Sequence, residues 1–117
     1  YNRGDNQYTE GEMLLRILRL FPKLLYNRIR HGRFLDIFIT HAPPRHINDR
    51  EDPCHKGIKV FRWFLRRFKP HCMIHGHIHL YNYDSKRETE YAGVPIINVY
   101  DHFLLKLPLN GVGNEEL

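Results

Sequence analysis

Cysteine is scarce in this chain. Cys54 and Cys72 are its two cysteines among 117 residues. They form no C-x-x-C pair and cannot make a disulfide framework, so free thiols in a reducing compartment are expected. Long apolar runs are missing as well: none approaches the roughly 18 residues of a membrane-spanning helix. No charged-then-apolar leader reads as a signal peptide. These absences give the expectation of a cytoplasmic protein without a membrane span. The chain opens on Tyr1 and its first methionine is Met13, so a processed form or a piece of a longer protein is expected. Acidic charge is outnumbered, 13 Asp and Glu against 18 Lys and Arg, a formal net charge of +5. A basic surplus favours anionic partners such as phosphates, nucleic acid or a membrane surface.

Histidine, by contrast, is abundant, with nine in the chain. His41, His46, His55, His71, His75, His77 and His79 all fall between positions 41 and 79. A purification tag would be a contiguous terminal run, which this is not. Imidazole is the commonest protein ligand for transition metals and titrates near neutrality, so the middle of the chain asks for a chemical explanation. Hydrophobic content of 42% and aromatic content of 13% fit a globular domain, and the length allows one domain at most.

Residues 9–32, TEGEMLLRILRLFPKLLYNRIRHG, read as helix. Thr9 and Glu12 have capping-box spacing, and Leu14, Leu15 and Leu18 with Phe21 form an apolar stripe. Pro22 should kink the run or start a second helix with Leu24, Leu25 and Ile29 as its apolar face; Gly32 is placed to end it. Residues 33–40, RFLDIFIT, read as a buried strand. Residues 41–57 read as a long loop with three histidines, of a length that is usually functional or mobile. Residues 58–70 read as an amphipathic helix with Ile58, Phe61, Phe64, Leu65 and Phe68 inward and Pro70 at its end. HCMIHG then reads as a short strand, and HIHLYNYD, TEYAGVPIINVY and HFLLKLP as further strands of a meander; residues 108–117 are expected to fray. Strand, helix, strand with a histidine loop at the first strand's carboxyl end is an α/β arrangement, in which ligand sites collect at strand carboxyl ends.

In extended backbone His77 and His79 would point to one side and serve one metal or two adjacent ones. Gly76 permits a sharp exit from the strand. FITHAPP (38–44) and IHGHIH (74–79), separated by an amphipathic helix ending in Lys-Pro, resemble the last two motifs of the calcineurin-like metallophosphoesterases. PIINVY (95–100) resembles the strand that often follows. The resemblance runs from about Thr9 to Leu107 and implies an α/β/β/α fold, a β-sandwich flanked by helices. It also implies a dinuclear site for two divalent transition metal ions, manganese, iron or zinc. His41 and His77 would ligate one metal and His79 the other. The implied reaction is phosphoester hydrolysis by a metal-bridging hydroxide.

The same family's earlier motifs, D-x-H, G-D-x-x-D and G-N-H, are absent; Gly4-Asp5 is followed by Tyr8 where the second aspartate would stand. Residues 1–117 are therefore expected to be one partial domain, the carboxyl-terminal half of a phosphatase-like hydrolase. No catalytic residue beyond the metal ligands is assigned to this chain. Its implied partners are a phosphoester substrate and the remaining half of the domain, in the same or a second chain. Without that half, weak metal binding and no useful turnover are expected. Arg45, His46 and His55 are candidates to face substrate phosphate, or are exposed loop residues. His75 either supports the metal ligands or is a strand-end residue with a hydrogen bond. Two alternatives differ in class. One is a structural zinc module built on Cys54, His55, Cys72 and His75 or His77. The other is a nucleic-acid-binding face on the basic helix 59–69, disfavoured because such faces are usually only solvated.

Overall fold

The computed structural model describes residues 8–52, 55–80, 87–101, 103 and 105. Two helices come first, α1 (Glu10–Leu18) and α2 (Phe21–His31). Thr9 caps α1 with the full capping box: its Oγ1 accepts from the Glu12 N–H at 3.2 Å, and Glu12 Oε2 accepts from the Thr9 N–H at 3.0 Å. Pro22 sits in the first turn of α2, where its missing N–H costs nothing. Gly32 ends α2 in the left-handed region, φ 81°, a conformation glycine adopts without strain.

Strand β1 (Ile37–Thr40) is followed by α3 (Lys59–Phe68), β2 (Cys72–His75), β3 (Glu88–Tyr91) and β4 (Val94–Asn98), with residues 41–52 and 55–57 in loop conformation before α3. Residues 33–36, expected as the first half of a strand, form bends and irregular backbone instead. The strand-like run TEYAGVPIINVY is a hairpin, because Ala92 and Gly93 both take positive φ (54° and 82°). Paired positive φ values make the tight turn whose twist matches two antiparallel strands.

The four strands form one mixed sheet in the order β1-β2-β4-β3. β1, β2 and β4 are parallel, and β3 is antiparallel on the outer side of β4. The apolar strand VPIIN takes an inner place and the polar strand ETEY is left at the edge, where water can solvate it; of the expected meander, residues 81–84 lie outside the described residues. A second sheet layer is not among the described residues, so the structure supports a small mixed α/β domain. No described helix is long and apolar enough to cross a membrane. The expected strand 102–108 and the tail 108–117 fall largely outside the described residues, as does Cys54.

Phe38, Met73 and Ile96 pair in register and share one sheet face. α3 packs on that face, with Phe38 stacked on Phe64 at 4.3 Å and edge-on to Phe61 at 5.4 Å. All five inward residues expected on α3, from Ile58 to Phe68, are buried. Full burial of Phe64 and Leu65 contributes roughly 1.5–3 kcal/mol each from water exclusion. α1 joins this unit through Glu10, whose carboxylate accepts from the N–H groups of Lys59 (2.8 Å) and Val60 (3.1 Å) at the start of α3. A carboxylate there satisfies orphan donors and faces the positive end of the helix dipole. The apolar stripes expected on α1 and α2 behave differently. Of those residues Leu24 is buried, while Leu14, Leu15, Leu18, Phe21, Leu25 and Ile29 are exposed; α1 instead buries Ile17, which lay outside the expected stripe.

Candidate metal centre

The carboxyl ends of the parallel strands β1 and β2 open onto the same side of the sheet, and each runs directly into a histidine. His41 follows β1. His75 ends β2, and Gly76 and His77 follow it. The Gly76 N–H donates to the His41 carbonyl at 3.0 Å, fastening the two strand exits together. His77 takes φ 66°, and the Ile78 N–H donates to the Gly76 carbonyl at 2.7 Å, closing a three-residue turn around it. A positive φ in a non-glycine residue is uncommon and persists only where surrounding contacts enforce it.

The turn brings His77 Nδ1 to 2.9 Å from His41 Nε2, across 36 positions of sequence. That is hydrogen-bond distance. It is also the separation of two nitrogens bound about 2.0–2.1 Å from one ion at a right angle, about 2.9 Å; a tetrahedral angle would place them about 3.4 Å apart. The pair therefore fits part of a metal's ligand set. Partial desolvation, with the neighbouring His77 ring as second cause, lowers the His41 pKa below the ordinary imidazole range. Both causes favour the neutral form that a metal ligand must have.

His79 is not on a shared extended face with His77, because the left-handed residue 77 breaks the alternation that such a face requires. Residues 77–80, expected to begin a strand, form a turn and irregular backbone. The His79 ring stacks on Tyr100 at 4.6 Å, and its carbonyl accepts from Arg50 Nη2 at 2.9 Å. Among the described residues, no group of three or more His, Cys, Asp or Glu side chains is placed to hold a metal ion.

Loop residues 41–52 and 55–57 are pinned over the strand ends. Pro44 bridges to Ile58 in parallel fashion, the Ile58 N–H donates to the Pro43 carbonyl at 2.9 Å, and the Arg45 N–H donates to the Ile58 carbonyl at 3.2 Å. Gly57 is required here, since a Cβ would lie 2.2 Å from the Pro44 carbonyl oxygen. Arg45 is turned into the loop, where Asp49 (2.7 Å) and Glu51 (2.8 Å) take its guanidinium. Both carboxylates raise its pKa further. His46 is exposed, at φ 66°, with its Nδ1 3.8 Å from Glu51 Oε1. His55 lies with its ring 5.1 Å from that of His77, and its Nδ1 hydrogen-bonds to Asp52 Oδ2 at 2.5 Å. Of the three loop candidates, His55 is the one the fold brings against the histidine pair.

His75 is fully buried. Its Nδ1 lies 3.0 Å from the Gly76 carbonyl and its Nε2 lies 3.1 Å from Asn48 Nδ2. Desolvation pushes its pKa down, which favours the neutral ring. Sequence reasoning overlooked Asn48, whose partner stands 27 positions away. It also overlooked Asn98, buried at the end of β4, which donates to the Ile78 carbonyl at 2.8 Å and accepts from the Tyr100 N–H at 2.9 Å. One signal was available for Asn98: an amide side chain closing an otherwise apolar strand must find buried partners. Cys72 is buried in β2, where desolvation raises its thiol pKa.

No family model, no curated protein and no solved structure matches this chain.

Proposed function

We propose that this chain carries the histidine half of a dinuclear metallophosphoesterase centre and hydrolyses phosphoesters when the other half is supplied. The observation that carries this reading is the His41–His77 contact at 2.9 Å, made between two strand exits of a parallel sheet. His41 Nε2 and His77 Nδ1 would hold one ion. His79, one turn away, would serve the second after leaving Tyr100. Divalent ions bound there would polarise phosphoryl oxygens and make hydroxide available near neutrality. The fold holds the two rings convergent, and His55, kept by Asp52 beside His77, would face an incoming phosphate.

The remaining ligands, carboxylates above all, belong to the missing half. β1 stands at the edge of the sheet, with Ile39 70% exposed on the face away from α3. Parallel sheets are normally covered on both faces, so the partner half would cover that edge and face. The zinc-module alternative gains nothing from Cys72, whose thiol is buried within a strand. On the basic face of α3, Arg62 and Arg66 lie over the Tyr91 ring at 5.1 and 5.9 Å, so two of its cations are already engaged.

Titration with cobalt(II) or zinc, followed by absorbance and calorimetry, tests the reading. His41→Ala and His77→Ala should each weaken binding by at least about 100-fold, beyond the roughly tenfold to 100-fold loss of a group that only supports a ligand. Metal content unchanged in the double variant would overturn it.

A further inference from the structure

The hydrogen bonds behind His77 form a chain whose donor directions can be fixed from one end. The Gly76 carbonyl can only accept, so His75 Nδ1, 3.0 Å away, carries the proton. The ring's Nε2 faces the Asn48 side-chain atom that also reaches the Arg87 carbonyl, a pure acceptor, so Nε2 takes the lone-pair role. Asn48 must therefore offer its amide nitrogen, at 3.1 Å. That orientation turns Asn48 Oδ1 to Thr89, whose hydroxyl donates to it at 2.6 Å from the edge strand β3. The Arg87 carbonyl, 3.5 Å from the same Asn48 nitrogen, agrees with a donor at that position. Asn48 itself sits at φ 59°, so the loop is bent to deliver this one side chain.

The chain of bonds ends on the carbonyl that closes the turn around His77. Gly76 O accepts from the Ile78 N–H and from His75 Nδ1, while the Gly76 N–H is held by the His41 carbonyl. From these contacts we infer that Asn48 and Thr89 are positioning residues. By selecting the Nδ1–H form of His75 they lock the Gly76–Ile78 turn and so preset His77 opposite His41. The consequence for metal affinity rests on the metal-centre reading above; the tautomer and the turn do not.

Thr89→Val removes the terminal hydroxyl while keeping the shape, Thr89→Ser restores it, and Asn48→Ala cuts the chain in the middle. Long-range proton–nitrogen NMR of the metal-free 117-residue chain should show His75 protonated at Nδ1. Asn48→Ala and Thr89→Val should shift it toward the Nε2–H form, and Thr89→Ser should not. Exchange of the Ile78 amide should rise about tenfold or more in the first two variants, as expected when a local opening becomes easier. Cobalt(II) affinity should fall about tenfold to 100-fold in Asn48→Ala, by less in Thr89→Val, and stay within about twofold of the parent in Thr89→Ser. A parent protein with His75 protonated at Nε2, or an Ile78 amide indifferent to Thr89→Val, overturns the inference. If tautomer and exchange behave as stated but the parent binds no cobalt, the metal-centre reading fails and the positioning of the turn stands. If the parent binds cobalt and Asn48→Ala binds it equally well, the turn is not what sets the affinity, and the assignment of Asn48 and Thr89 as positioning residues for His77 falls.

Discussion

α3 and α2 are both amphipathic helices, yet their apolar residues have opposite fates. On α3, Phe64 and Leu65 are fully buried against the sheet, whereas on α2 Ile29 is 78% exposed and Leu25 58%. β1 repeats the contrast within four residues: Phe38 is buried beneath α3, while Ile39, on the other face, is 70% exposed. The difference teaches that amphipathic periodicity reports a face meant to be covered, not whether the covering partner lies within the chain. The described residues combine a closed core between α3 and the sheet with apolar side chains left exposed on α2 and on β1.

The largest expected effect lies in the closed core. Phe64→Ala should cost about 3–5 kcal/mol in urea unfolding, through lost burial and the cavity left behind. A loss below about 1 kcal/mol would mean that the α3 core is no better packed than the outer helices. Gly57→Ala should destabilise by about 2 kcal/mol or more, because the new methyl meets backbone rather than a yielding side chain. Glu10→Ala should cost about 1 kcal/mol, as loss of a helix cap does, and thermal unfolding would show whether α1 is truly tied to α3. The smallest effect is expected at the exposed side chains: Ile29→Ala should change stability by less than about 0.5 kcal/mol. If it costs as much as Phe64→Ala, the outer face is packed in solution and the contrast collapses.

Acid should also find the loop over the strand ends before it finds the core. Burial alone would raise the Asp49 pKa, but the Gly57 N–H, the Arg45 guanidinium and the His46 N–H together hold it below the usual carboxylate range. A depressed folded-state pKa contributes stability that is present above the ordinary carboxylate value and is lost as the pH falls through the lower one. Asp49→Asn should therefore destabilise the protein at neutral pH and flatten its stability profile below about pH 4. An unchanged acid profile would place Asp49 outside the folding equilibrium.

Much of the local structure was legible in the sequence. The Thr9–Glu12 capping box, the break at Pro22, the left-handed Gly32 and the inward face of α3 depend on neighbours within a few positions, and local rules read them. The strand order was not legible, because it turns on which strand tolerates a solvated edge, a comparison between segments. His77 and His79 read as an extended alternating pair, and the structure corrects this: an interaction with the His41 backbone, distant in sequence, goes with a left-handed turn at His77. Arg45 and His55 looked alike as loop residues near a phosphate site. Asp49 and Glu51 draw one inward, and Asp52 holds the other beside His77.

By itself the sequence determined the helices, their caps, the apolar strands and the concentration of imidazoles between positions 41 and 79. These follow from torsional preferences and short-range periodicity. Only the tertiary structure decided which imidazoles meet. Parallel pairing of β1 with β2 sets Thr40 beside His75, and the turn beyond them carries His77 to His41. Contacts across 36 positions are fixed by sheet register and buried hydrogen bonds, which no local rule encodes.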